Sequence, residues 1–169
     1  MGTDVTEVTE TLPRPQDIKV HRLMCTKLIK LVDRILTIFP EIEASRPRCS
    51  SGLKAISSLN EGIKKARLLL EHCSVCSKLY LAITGEAVLS RCKRSTNLLE
   101  QCLSQIQNDV PVLLAAEISC IVSDMRDATF SLDSFEEEAG IVVRSFCSSM
   151  HHQENHWKTL PLRPFVLLL

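Results

Sequence analysis

The sequence predicts an all-α fold, an up-and-down bundle of four long helices plus a shorter C-terminal helix, and three observations carry that prediction. Apolar residues recur at spacings of three and four through four separate stretches, the period of one helical face. Aromatic residues make up only 4% of a chain that is 45% hydrophobic, so the bulk available for a core is aliphatic or sulfur-bearing and suits helices packed along seams. Gly is reduced to five in 169 residues, and apart from a brief stretch around Tyr80 no segment alternates with period two as a half-buried strand would. A chain of this length is most economically one domain, able to bury about two-thirds of its unfolded surface.

The elements follow in order. Residues 1–16 combine Thr, Glu, Pro13 and Pro15 without periodicity and read as a disordered leader, with order beginning near Asp17. Val20, Met24, Leu28, Leu31, Ile35 and Ile38 then define a first helix to about Phe39. Pro40 lacks an amide hydrogen and is expected to end or sharply kink that helix, although PEIEA can start a further turn before the corner at Arg46, Pro47 and Arg48. A second helix starts near Ser50 on the seam Ile56, Leu59, Ile63, Ala66, Leu70 and Cys73. Its outer face carries Lys54, Glu61, Lys64, Lys65 and Arg67, with Glu61 and Lys65 four apart in the favourable order.

Val88, Cys92, Ser95, Leu99, Cys102 and Ile106 repeat the rhythm as a third helix, in which Ser95 leaves a small gap. Asn108 and Asp109 before Pro111 read as an acidic cap and early proline opening a fourth helix, with Leu114, Ile118, Ile121 and Met125 inward and an end near Ala128. Asp133 or Ser134 can cap the last helix, whose first turn holds Glu136, Glu137 and Glu138 against the positive end of its dipole. Ile141, Val142, Phe146 and Cys147 are its apolar side. The pattern stops at Ser148, so residues 17–148 are expected to form the bundle and 149–169 an irregular tail.

Between the second and third helices lies the most individual stretch, HCSVCSKLYLAITGE from His72 to Glu86. It holds the single Tyr of the chain in the apolar run Leu79, Tyr80, Leu81, Ala82, Ile83, closed by the turn-prone Thr84 and Gly85. Burial between the second and third helices is the expectation for Tyr80.

Charge and motifs exclude more than they assign. Lys plus Arg equals Asp plus Glu at 20 each, so no overall field draws the protein to nucleic acid or an anionic membrane. The polar first 17 residues lack the apolar centre of a signal peptide, which points to an intracellular chain, cytoplasmic or nuclear. Cys25, Cys73, Cys92, Cys102 and Cys120 then read as small hydrophobes on helix faces. Cys73 and Cys76 form a lone CxxC, but Cys92 and Cys102, the further ligands zinc would need, already occupy core positions, and no strand precedes the motif as in redox proteins. His151, His152 and His156 sit in a segment without helical period.

Arg91, Lys93 and Arg94, with Lys64, Lys65 and Arg67 on the neighbouring helix, are a candidate patch for phosphate or acidic peptides. A solvated face is the weightier reading of the two. The apolar Phe165 to Leu169 falls far short of the roughly 20 residues of a membrane span. No phosphate loop, dinucleotide fingerprint, HExxH or nucleophile elbow occurs. No catalytic, metal or cofactor site is therefore assigned.

SKLYLAITGE, together with FPEIEASRP and SGLKAISSL upstream, resembles the helical N-terminal domain of plant U-box E3 ubiquitin ligases, especially the subgroup with armadillo repeats. The resemblance runs from about Ile18 to Cys147. It implies a non-catalytic interaction and regulatory module whose partner classes include receptor kinases and membrane-traffic components. A U-box opening of the form CPISLELMxDPV is absent, so the chain is expected to be truncated before the U-box and to lack ligase activity of its own. Pro40, Arg46, Pro47, Ser51, Gly52, Leu59, Ser77, Lys78, Leu79, Tyr80 and Gly85 are recurrent family positions. Lys78 and Tyr80 are the candidate partner contacts among them. The alternative is a free-standing regulatory or membrane-associated adaptor, similar in outline to the four-helix domains of Cbl and cell-death proteins. For that role the apolar arc Leu113, Leu114, Ile118, Ile121 and Val122 is the widest available, but Glu117 and Asp124 oppose it.

Overall fold

The computed structural model describes residues 11–45 and 50–153, and the side chains among them except those of 150–153. Six α-helices follow one another: α1 Arg22–Ser45, α2 Ser50–Val75, α3 Lys78–Ile83, α4 Gly85–Ile106, α5 Val112–Asp127 and α6 Ser134–Gln153. No strand occurs among the described residues.

Four helices form the frame. α1 packs on α2 and α5, and α4 packs on the same two from the opposite corner. The seams read from spacing are the ones that pack. Met24, Leu28, Leu31, Ile35 and Ile38 of α1 are buried, as are Leu59, Ile63, Ala66, Leu70 and Cys73 of α2, with Ile56 half-buried at the edge. Val88, Cys92, Ser95, Leu99, Cys102 and Ile106 on α4 and Leu114, Ile118, Ile121 and Met125 on α5 complete the core. A buried leucine or isoleucine contributes roughly 1.5–3 kcal/mol. Gly62 lets α2 and α4 come close, since a Cβ there would meet Leu99 Cδ2 at 2.9 Å. Across the helices, Arg34 pairs with Asp124, and Arg126 Nε donates to Glu100 at 2.8 Å.

Several elements depart from expectation for physical reasons. α1 runs through Pro40 to Ser45 without a break, because burial of Ile38 and Ile42 on either side holds the turn that the missing amide weakens. Order also begins before Asp17: Leu12 packs against the core, Pro15–Asp17 is a 3-10 turn, and the Arg14 amide donates to Asp17 Oδ2 at 3.2 Å. Residues 1–10, and the corner at Arg46, Pro47 and Arg48, lie outside the described residues. Asp109 ends a 3-10 turn at Gln107–Asp109, and Pro111 rather than an acidic residue occupies the N-cap position of α5.

The last helix is longer than the spacing implied. α6 has 20 residues and passes Ser148 to end at Gln153, while α5 has 16. Asp133 caps it, its Oδ1 accepting from the Phe135 amide at 3.0 Å. The apolar side read at Ile141, Val142, Phe146 and Cys147 faces mainly solvent. α6 attaches along a different line, chiefly to α3 rather than to the four-helix frame.

Candidate functional site

α3 begins where Ser77 turns the chain and its Oγ accepts from the Tyr80 amide at 3.2 Å. That cap sets the phase of the short helix. Leu81 turns inward and is fully buried, so Tyr80, one position earlier, faces outward and is 46% exposed. The expected burial of Tyr80 is thus corrected: the run is anchored by Leu81, while Lys78, Leu79 and Tyr80 lie on the surface. The structure brings Lys78 and Tyr80 together on one exposed turn.

Tyr80 has a partner on α2. Its ring stands edge-on to His72, with ring centroids 5.7 Å apart, and the same His72 has Nδ1 3.3 Å from Cys76 Sγ. The two thiols of CxxC therefore serve different surroundings, Cys73 the core and Cys76 the histidine. Among the described residues no group of three His, Cys, Asp or Glu is placed to hold a metal.

His72 closes one end of a cleft of about 570 Å³ between α2 and α4, lined also by Lys65, Leu68, Leu69, Arg91, Arg94, Ser95 and Leu98. Beyond the Lys65 end, Gly62 of α2 lies against Leu98 and Leu99 of α4. The floor is Leu69 and Ser95, both buried; Leu68 is 65% exposed on the rim. Three cations stand around this apolar trough, and no described carboxylate lies within ion-pair distance of any of them. Glu61 pairs with Lys64 at 3.5 Å, not with Lys65 as the spacing had implied, and so Lys65 is left to the cleft. The small gap read at Ser95 and the basic groups read on α2 and α4 are parts of one feature. Sequence reasoning missed Leu68, His72 and Leu98 in it, since nothing local shows that an outward leucine borders a groove.

The buried cysteines come from three helices. Burial drives the Cys92 thiol up to about 12, with the neighbouring Cys73 adding to the effect. A hydrogen bond with Cys73, and then burial, hold the Cys25 thiol well above its ordinary range. Cys25 and Cys92 are packing groups, protonated at neutral pH, while the same hydrogen bond with Cys25 lowers the Cys73 thiol from its ordinary value. Cys120, read as a small hydrophobe on a helix face, is on an exposed face.

No protein-family model matches the chain, and no solved structure matches it. Curated relatives do. The chain is 48% identical over 130 residues to U-box domain-containing protein 5 of Arabidopsis thaliana, a span that is 77% of this chain and 18% of that protein. It is 42% identical over 137 residues to U-box domain-containing protein 7 and 40% identical over 137 to U-box domain-containing protein 6 of the same plant, in each case 81% of this chain and 18% of the relative. The chain thus spans about a fifth of the length of the curated relatives it matches. Over that span, identity at this level places it in the family of plant U-box domain-containing proteins.

Proposed function

We propose that this bundle is a non-catalytic interaction and regulatory module of the U-box ligase lineage, contributing to ubiquitination by holding a partner rather than by transferring ubiquitin. The observation that carries the reading is the exposed turn of α3, where Lys78, Leu79 and Tyr80 stand outward on a helix fixed beneath by Leu81. An aromatic side chain beside a cation, held by a cap and a buried anchor, is the kind of pre-ordered contact that interfaces use. Among the described residues no helix is long and apolar enough to cross a membrane. Partners are proteins of an intracellular pathway, with receptor kinases and membrane-traffic components as the classes to try first.

The test has two arms. The chain, supplied with ubiquitin, activating enzyme and conjugating enzyme, should form no conjugates. Added to a full-length U-box relative and a substrate of that relative, it should lower substrate ubiquitination, and the Tyr80→Ala variant should do so less. Ubiquitin transfer by the chain alone overturns the non-catalytic reading, and unchanged substrate modification at saturating chain overturns the interaction reading.

A further inference from the structure

We propose that the cleft between α2 and α4 is the docking groove for an acidic amphipathic helix of a partner protein. The inference rests on the interaction-module reading and names the site and chemistry through which it acts. Charge complementarity selects the occupant. Lys65, Arg91 and Arg94 surround the trough, His72 closes it, and none of the lining residues is acidic. Arg94 donates to Ser90 Oγ at 3.2 Å, a neutral partner that leaves its charge uncompensated. A protein whose positive and negative groups are equal in number here presents a local field of one sign over exposed leucine. The match for that surface is carboxylate flanking apolar side chains.

The dimensions fit a helix. From Lys65 to His72 the groove runs two turns, about 10 Å at 1.5 Å per residue, the distance covered by partner side chains at i, i+4 and i+7. Those side chains have Leu68, Leu69 and Leu98 to meet, and the shortness of Ser95 leaves them depth. Long Lys and Arg side chains can lay their stems along the docked helix and keep their charges at its acidic flanks. A bilayer surface suits the site less well, because the apolar part is recessed between two helices rather than raised. The groove is also continuous with the turn already described, since His72 touches both the cleft and the Tyr80 ring.

The probe is a designed, fluorescein-labelled helix of about four turns, with Leu at i, i+4 and i+7 and Glu on both flanks, paired with a copy carrying Lys for Glu. Anisotropy with the full chain should show binding of the Glu peptide and not of the Lys peptide. Amide shifts should concentrate on residues 65–72 and 91–98. Arg91→Glu with Arg94→Glu, both at exposed positions, should weaken the Glu peptide at least about tenfold with an unchanged thermal melt. Leu68→Ser, a second exposed change, should weaken it without altering charge. Equal binding of the two peptides, or shifts confined elsewhere, overturns the proposal. So does binding of phosphatidylserine vesicles without any response to the peptide, which would assign the cations to lipid. The double variant separates the levels: if it competes with a full-length relative as well as the unaltered chain does, the groove is wrong and the interaction module stands.

Discussion

His21 and Glu136, 115 residues apart, are joined twice: the His21 backbone amide donates to Glu136 Oε1 at 2.6 Å and His21 Nδ1 lies 2.9 Å from Oε2. The other ring nitrogen lies 2.9 Å from the carbonyl oxygen of Leu81, so both ring nitrogens face oxygen atoms. His21 is buried and takes a left-handed φ of 59°, a conformation that few side chains accept. One residue before α1 thereby ties the start of α6 to the middle of α3.

Glu136→Ala should cost about 2 to 4 kcal/mol, because it leaves a buried imidazole and a backbone amide without their acceptor. Urea denaturation measures this. A loss under half a kcal/mol would mean that water replaces the carboxylate at no cost, and that the pair does not hold α6.

Tyr80 and Leu81 should separate cleanly in stability. Tyr80→Ala removes a half-exposed ring and is expected to change unfolding free energy by less than about 1 kcal/mol, whereas Leu81→Ala opens a cavity at a fully buried site and should cost about 2 to 5 kcal/mol. Partner competition should show the reverse order for variants that remain folded. Equal stability losses would show that Tyr80 is part of the core.

The thiols give a pH dependence whose sign is set by the native state. Cys92 ionises near 12 in the fold against an ordinary 9.0, so between those values the unfolded chain releases a proton that the native chain keeps. Stability from this group is full below about pH 9 and falls as pH rises toward 12. Alkylation at pH 8 with site mapping by mass spectrometry should modify the exposed Cys120 and Cys147 and spare Cys25, Cys73, Cys92 and Cys102. Prompt modification of Cys92 in the folded chain would contradict this.

How much could be read beforehand depends on how local the cause is. The four seams were legible because an aliphatic side chain every three or four residues leaves a long helix few other ways to bury it. Pro40 was not, since a proline inside a helix is decided by what the turns on either side pack against. For the apolar run at Leu79 to Ile83 the sequence indicated burial, but a helix of six residues, Lys78–Ile83, is too short to set a phase, and the Ser77 cap chose Leu81 over Tyr80. Periodicity on α6 marked an apolar face without showing what covers it. The pair of His21 and Glu136 had no local signal at all. In the cleft, Ser95 and the basic groups stood out by residue type, while Leu68 looked like any other leucine.

Ser95 occupies a core position between Cys92 and Leu99 and yet fills little of it, leaving depth to the groove. A longer aliphatic side chain at 95 would add contact between α2 and α4 and raise the melting temperature while making the trough shallow. This is a place where the bundle gives up cohesion to keep a concave surface, so selection for heat resistance alone would fill first the groove proposed for docking.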